Sequence, residues 1–122
     1  MTDKAYTSNQ VEQLVNTGLM NLWYPVLPSW KVHSDPVGIT RLSQKIVLWR
    51  DNDGVVHAIE DRCPHRGIRF SSRPLFYTKE TITCWYHTWT FDLDDGSLRT
   101  ILSSPDSKVI GKCGVKTYPL IE

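Results

Sequence analysis

The sequence predicts a mainly β domain, a small antiparallel sandwich or barrel with one short helix near the N-terminus. Three observations lead there. Runs of strand length with β-branched residues recur from "GITRL" onward. Asp, Asn and Gly turn signals fall between them at short spacing. No long periodic helix separates one strand from the next, as a βαβ unit would require. At 122 residues, one domain is expected. A chain of this size buries roughly two-thirds of its unfolded surface, enough for one core without disulfides.

The helix is expected over residues 8–19, "SNQVEQLVNTGL", with Ser8 as its cap, Val11, Leu14 and Val15 on one face and Gly18 as its stop. "NLWYPV" and "WKV" are short apolar runs interrupted by Pro25, Pro28 and Pro36, so extended segments near a sheet edge are expected. "GITRL", "KIVLWR" and "VVHAIE" read as strands, the last two joined by the turn "DNDG" at 51–54. "TITCW" reads as another strand, and "WTFDLDDGSLRTI" as a second hairpin turning at Asp95-Gly96. "VKTYPLIE" is one more extended piece. Residues 1–18 are expected to form a helical arm and 19–122 the domain.

Composition narrows the function. With 14 basic and 13 acidic residues the net charge is +1, and nothing suggests a nucleic-acid or membrane partner. The apolar runs are too short to span a bilayer and the N-terminus has no signal-peptide core, so a cytoplasmic location is expected. Three cysteines, an odd number, argue for metal or redox use over a disulfide framework. Five tryptophans are many for this length, and tryptophan usually fills cores or lines sites.

The dense cluster of metal-binding residue types is Cys63, His65, Cys84 and His87, spaced C-x-H, eighteen residues, then C-x-x-H. A structural zinc module is one reading. Such sites usually draw their cysteines as one close pair and their histidines as another. Here each half supplies one of each. That interleaving suits a two-iron cluster with two thiolates on one iron and two imidazoles on the other.

"CPHRG" followed by "CWYHTW" resembles the Rieske [2Fe–2S] signature, and specifically that of aromatic-ring-hydroxylating oxygenases, nearest to the carbazole and 2-oxoquinoline type. "NLWYPV", "AIEDRCPHRG", "TITCWYHTWTFDLDDG" and "KTYPLIE" extend the likeness along the chain. The resemblance implies a Rieske-type fold with two cluster-binding loops. It implies that Cys63 and Cys84 hold the inner iron and His65 and His87 the outer one. Trp89 is expected to shield the cluster. Tyr86 is a candidate to hydrogen-bond sulfur, and Arg66 to bond backbone near the cluster, to face a partner, or to pair with Asp61 or Glu60.

Two absences refine the resemblance. Respiratory Rieske proteins carry one further cysteine in each loop, joined as a disulfide, and those positions are Ile68 and Tyr86 here. Most ring-hydroxylating oxygenases have glycine after the second histidine, whereas this chain has Thr88, so a left-handed turn is not expected there. His33 and His57 lie outside any two-histidine, one-carboxylate pattern, and Cys113 reads as an ordinary thiol. No oxygen-activating iron site is therefore expected in this chain. The catalytic domain that carries the non-heme Fe(II) in the family is expected to be absent.

The implied role is electron relay within a terminal oxygenase component. A ferredoxin or reductase would donate. The acceptor would be the non-heme iron of a mono- or dioxygenase that hydroxylates an aromatic or heteroaromatic ring. The catalytic domain could belong to a neighbouring subunit of a trimer. A stand-alone Rieske ferredoxin, a carrier and not an enzyme, is the alternative.

Overall fold

A computed structural model describes residues 7–10 and 22–122. Residues 8–10 are helical, and the cap is Thr7 instead of the expected Ser8. The Gln10 N–H donates to Thr7 Oγ1 at 3.2 Å, and the Thr7 N–H donates to Gln10 Oε1 at 2.9 Å. That reciprocal pair satisfies two donors that a helix start leaves open. The remainder of the expected helix, from residue 11, lies outside the described residues.

Among the described residues, six strands form two antiparallel three-stranded sheets. The first holds β1 (Val37–Arg41), β2 (Gln44–Arg50) and β3 (Val56–Glu60), in that order. The second holds β4 (Thr81–Thr83), β5 (Trp89–Asp92) and β6 (Leu98–Ile101). The mainly β expectation holds, with differences in detail. "WKV" falls on a 3-10 turn over Ser29–Lys31, not on an extended segment. β4 stops at Thr83, which leaves Cys84 and Trp85 in a loop. β1 and β2 meet through Leu42 and Ser43, both left-handed at φ 50° and 61°. Two such residues make the hairpin turn whose twist matches the strands. Neither is the Asn or Gly that signals it in a sequence.

Strand alternation places two apolar layers on the first sheet. Val47, Trp49 and Ile59 face a core shared with Ile82, Phe91, Leu98 and Ile101 of the second sheet. Leu48 and Ala58 face the other way, onto Val32, Tyr118 and Leu120. Both faces are therefore covered, which is why three successive residues of β2 are buried. Phe70 enters the shared core edge-on to Phe91, with ring centroids 5.6 Å apart. Trp49 is buried as expected, whereas Trp23 and Trp30 are exposed, 65% and 72%, against the expectation for tryptophan.

The tail is the brace between the sheets. Gly114 pairs with Ser97, Thr117 with Ile59, and the Glu60 and Tyr118 N–H groups bond Lys116 and Ala58 carbonyls. "VKTYPLIE" thus crosses from the β5–β6 hairpin to β3 without forming a strand of its own.

The β2–β3 turn carries a pH dependence. Asp51 accepts the N–H groups of Asp53 and Val55, and its other oxygen lies 2.8 Å from His57 Nε2. The His57 bond first, then the backbone donors, hold the Asp51 carboxyl below its ordinary value of 3.8. The folded value is depressed, so this stabilisation is complete above 3.8 and is lost as pH falls through the lower folded value. Thermal melts from about pH 6 to about pH 2 should therefore show a steep acid limb that Asp51→Asn flattens. An acid limb unchanged in that variant would contradict the account.

Candidate metal centre

Two six-residue loops carry the four expected ligands, and both follow one plan. In the first, the Cys63 N–H donates to the Ile68 carbonyl and the Gly67 N–H to the Cys63 carbonyl, both at 2.8 Å. In the second, the Cys84 N–H donates to the Trp89 carbonyl at 2.8 Å and the Thr88 N–H to the Cys84 carbonyl at 3.0 Å. The offsets from each cysteine are the same. Both loops turn left-handed at the fifth position, where Gly67 has φ 72° and Thr88 φ 60°.

The left-handed Thr88 corrects the sequence expectation. A β-branched residue in that conformation costs about 1–3 kcal/mol. Its hydroxyl supplies bonds a glycine could not make. Thr88 Oγ1 donates to the His87 carbonyl at 2.7 Å and accepts the Ser103 N–H at 2.9 Å.

Within each loop, two backbone N–H groups favour the cysteine thiolate, those of His65 and Arg66 at Cys63 and those of Tyr86 and His87 at Cys84. The neighbouring Cys84 sulfur, then burial, raises the buried Cys63 thiol, whereas the neighbouring Cys63 and the Tyr86 and His87 N–H groups lower Cys84.

The imidazoles form the other pair. His65 and His87 are half-buried, with ring centroids 4.9 Å apart and planes at 88°. Trp89 stacks flat on His65 at 4.3 Å and 5°. Tyr86 sets its ring against His87 at 4.0 Å and is 49% exposed. Burial, and then the neighbouring His87 and Arg66 charges, pull His65 below the ordinary imidazole value. His87 Nε2 is buried with no hydrogen-bond partner, a nitrogen lacking the contact that buried polar atoms normally make. Among the described residues, no three His, Cys, Asp or Glu side chains gather to hold one ion. The four residues meet as two pairs.

Other candidates separate from the site. The Arg66 side chain is exposed and makes no ion pair among the described residues, so the expected alternative pairing with Asp61 or Glu60 does not form. Asp61 is instead buried under the first loop, accepting the Ser71 N–H at 2.9 Å and the Ser71 hydroxyl. Glu60 accepts the Lys116 N–H at 3.3 Å. His57 bonds Asp51, His33 is exposed, and Cys113 packs half-buried against the core, where burial raises its thiol. Sequence reasoning missed Ser71 and Ser103. A threonine standing where glycine is usual signals that some partner must hold it, but not which one.

The Rieske [2Fe–2S] domain family matches residues 22–119. This chain belongs to that family. The likeness to the carbazole type also holds. The terminal oxygenase component CarAa of carbazole 1,9a-dioxygenase from Sphingomonas sp. is 48% identical over 106 residues, 86% of this chain and 28% of that protein. The chain therefore spans little more than a quarter of that relative's length. The solved terminal oxygenase of carbazole 1,9a-dioxygenase from Novosphingobium sp. KA1 is 46% identical and superposes with a TM-score of 0.80, covering 90% of this chain and 30% of that one. The reduced complex between oxygenase and ferredoxin in carbazole 1,9a-dioxygenase aligns with a TM-score of 0.78 at 35% identity, covering 92% of this chain and 31% of that one.

The cofactor of a Rieske domain is a [2Fe–2S] cluster. The residues present fit it. They offer two buried soft sulfur donors, and beside them two imidazoles, one with an unpartnered buried nitrogen. No helix among the described residues is long and apolar enough to cross a membrane.

Proposed function

We propose that this chain is the electron-relay domain of a terminal oxygenase component in the cytoplasm. It takes electrons from a ferredoxin or reductase and passes them to a non-heme iron, held by a catalytic domain of the same or a neighbouring subunit. In the complete protein that iron hydroxylates an aromatic or heteroaromatic ring. The observation that carries the reading is the pairing of ligands across two loops of one plan. Cys63 meets Cys84 through sulfur, and His65 lies beside His87.

Cys63 and Cys84 would hold one iron and His65 and His87 the other. A bound [2Fe–2S] cluster supplies reversible one-electron chemistry. The chain's own residues set the conditions for it. The N–H groups of His65, Arg66, Tyr86 and His87 disperse thiolate charge, which favours the electron-rich state. Trp89 covers one face of His65 and keeps water from it. His65 and His87 keep partial exposure, so the imidazole side is where an electron can pass to or from a partner. Arg62, Arg66, Arg69 and Arg73 are exposed around the first loop without ion pairs among the described residues, a surface suited to a donor bearing carboxylates.

The test is anaerobic reconstitution with iron and sulfide, followed by metal analysis and an EPR spectrum of the reduced chain. Two irons and two sulfides per chain with a mixed-ligand signal are expected. Zinc in place of iron, with no such signal, would remove the reading and favour the structural zinc module.

A further inference from the structure

The two loops reach the same left-handed turn by different means. Gly67 needs no help, because it has no Cβ. Thr88 does need help, and a knot of bonds from the end of β6 supplies it. The Ser103 N–H donates to Thr88 Oγ1 at 2.9 Å, and the Leu102 N–H donates to the Thr88 carbonyl at 3.2 Å. The Thr88 and Ser103 hydroxyls lie 3.1 Å apart, and both donate to the His87 carbonyl, at 2.7 and 3.2 Å. The peptide between His87 and Thr88 is thus gripped on both sides by a residue fifteen positions further along the chain. Among the described residues, two other non-glycine residues are left-handed, Leu42 and Ser43, but both belong to a hairpin turn in the first sheet.

We propose that Ser103 is a positioning residue of the second ligand loop. Its backbone N–H and its hydroxyl together hold Thr88 left-handed in place of the missing glycine, and the hydroxyl is the part that a substitution removes. Through the shared His87 carbonyl it also sets where the His87 imidazole points. The inference rests on the ligand assignment proposed above. A Ser103 that merely closed the end of β6 would matter equally whatever residue occupied position 88. A positioning Ser103 matters most while position 88 carries a β-branched side chain that has to be held left-handed.

A double-mutant cycle on the reconstituted chain separates these. Ser103→Ala should load iron and sulfide, shift the EPR g-values, and lose its cluster to a chelator about tenfold faster than the parent chain. Ser103→Thr, which restores the hydroxyl, should recover the parent signal. Thr88→Gly should resemble the parent chain, and adding Ser103→Ala to it should do markedly less damage than Ser103→Ala does in the parent chain, since only the hydroxyl bond to the His87 carbonyl is then lost. The proposal is overturned if S103A matches the parent in signal and cluster lifetime. It is equally overturned if S103A does the same damage in the T88G background, or if it prevents loading in both backgrounds. Failure of the parent chain to take up iron would remove the ligand assignment instead. In that case the Thr88 Cα and Cβ chemical shifts of the metal-free chain decide the inference. S103A should move them away from left-handed values, and unmoved shifts would overturn it.

Discussion

Replacing Cys84 by serine should leave a folded chain that holds no cluster. Serine keeps the shape of the side chain, and the site is buried, with Cys84 at 3% exposure. What changes is the donor. The N–H groups of Tyr86 and His87 would face a hydroxyl that stays protonated near neutral pH, and Cys63 would lose its neighbouring sulfur. A neutral oxygen is also a poor substitute for a soft thiolate on iron. Iron and sulfide content should fall by more than about tenfold, beyond what loss of an outer partner usually causes. The far-UV circular dichroism should be retained. Cys113→Ser is the matched control and should keep full iron, because Cys113 packs half-buried against the core and takes no part in either loop. A Cys84→Ser chain that kept two irons and two sulfides would show that the sulfur pair is not the ligand pair.

Gly96→Ala should be the most damaging single-methyl change outside the site. Gly96 is left-handed, with φ 77°, and a Cβ there would stand 2.0 Å from the Val115 carbonyl oxygen. That oxygen belongs to backbone that cannot move freely, because the Val115 N–H bonds the Gly96 carbonyl at 2.8 Å. From the other side, a Cβ on Gly114 would lie 2.4 Å from the Gly96 oxygen, so the two backbones meet with no room for a side chain on either. The alanine must therefore push the tail off the β5–β6 hairpin. The same tail carries the bonds to β3 through Lys116, Thr117 and Tyr118. Strain at one residue then weakens the junction between the sheets. A loss of about 3 kcal/mol or more is expected, and with it a fall in melting temperature of about 10 °C. A melt within a degree or two of the parent chain would mean that the tail brace contributes little.

The parts legible in the sequence were those that follow from local chemistry. Two turns were visible as Asp- and Gly-rich stretches, and the structure places Gly54 and Gly96 left-handed there. The Leu42–Ser43 turn was not, because nothing about leucine announces φ above zero. The strands were visible through their apolar alternation. Their lengths were not, because Cys84 reads as the continuation of "TIT" until its N–H is seen bonding the Trp89 carbonyl across the loop. At the site, the candidate ligands stood out by residue type and spacing, and their assignment to two irons came from the resemblance. The equivalence of Gly67 and Thr88 did not, since it is a matter of matching hydrogen bonds in two separate loops.

The sequence by itself carried the cluster of candidate ligands, because a short motif that serves two metals from one loop constrains neighbours along the chain, and it carried the resemblance of that motif to a known signature, which implied the family and the cofactor class. Only the tertiary structure decided what holds those loops in place. Ser103 beside the second loop and the tail from Gly114 to Tyr118 between the sheets are both distant in sequence from what they support, and Ser71 reaches back across the first loop to the buried Asp61. Serine, glycine and lysine backbones bond whatever the fold brings to them. Their roles are therefore a property of proximity in space, which residue type does not encode.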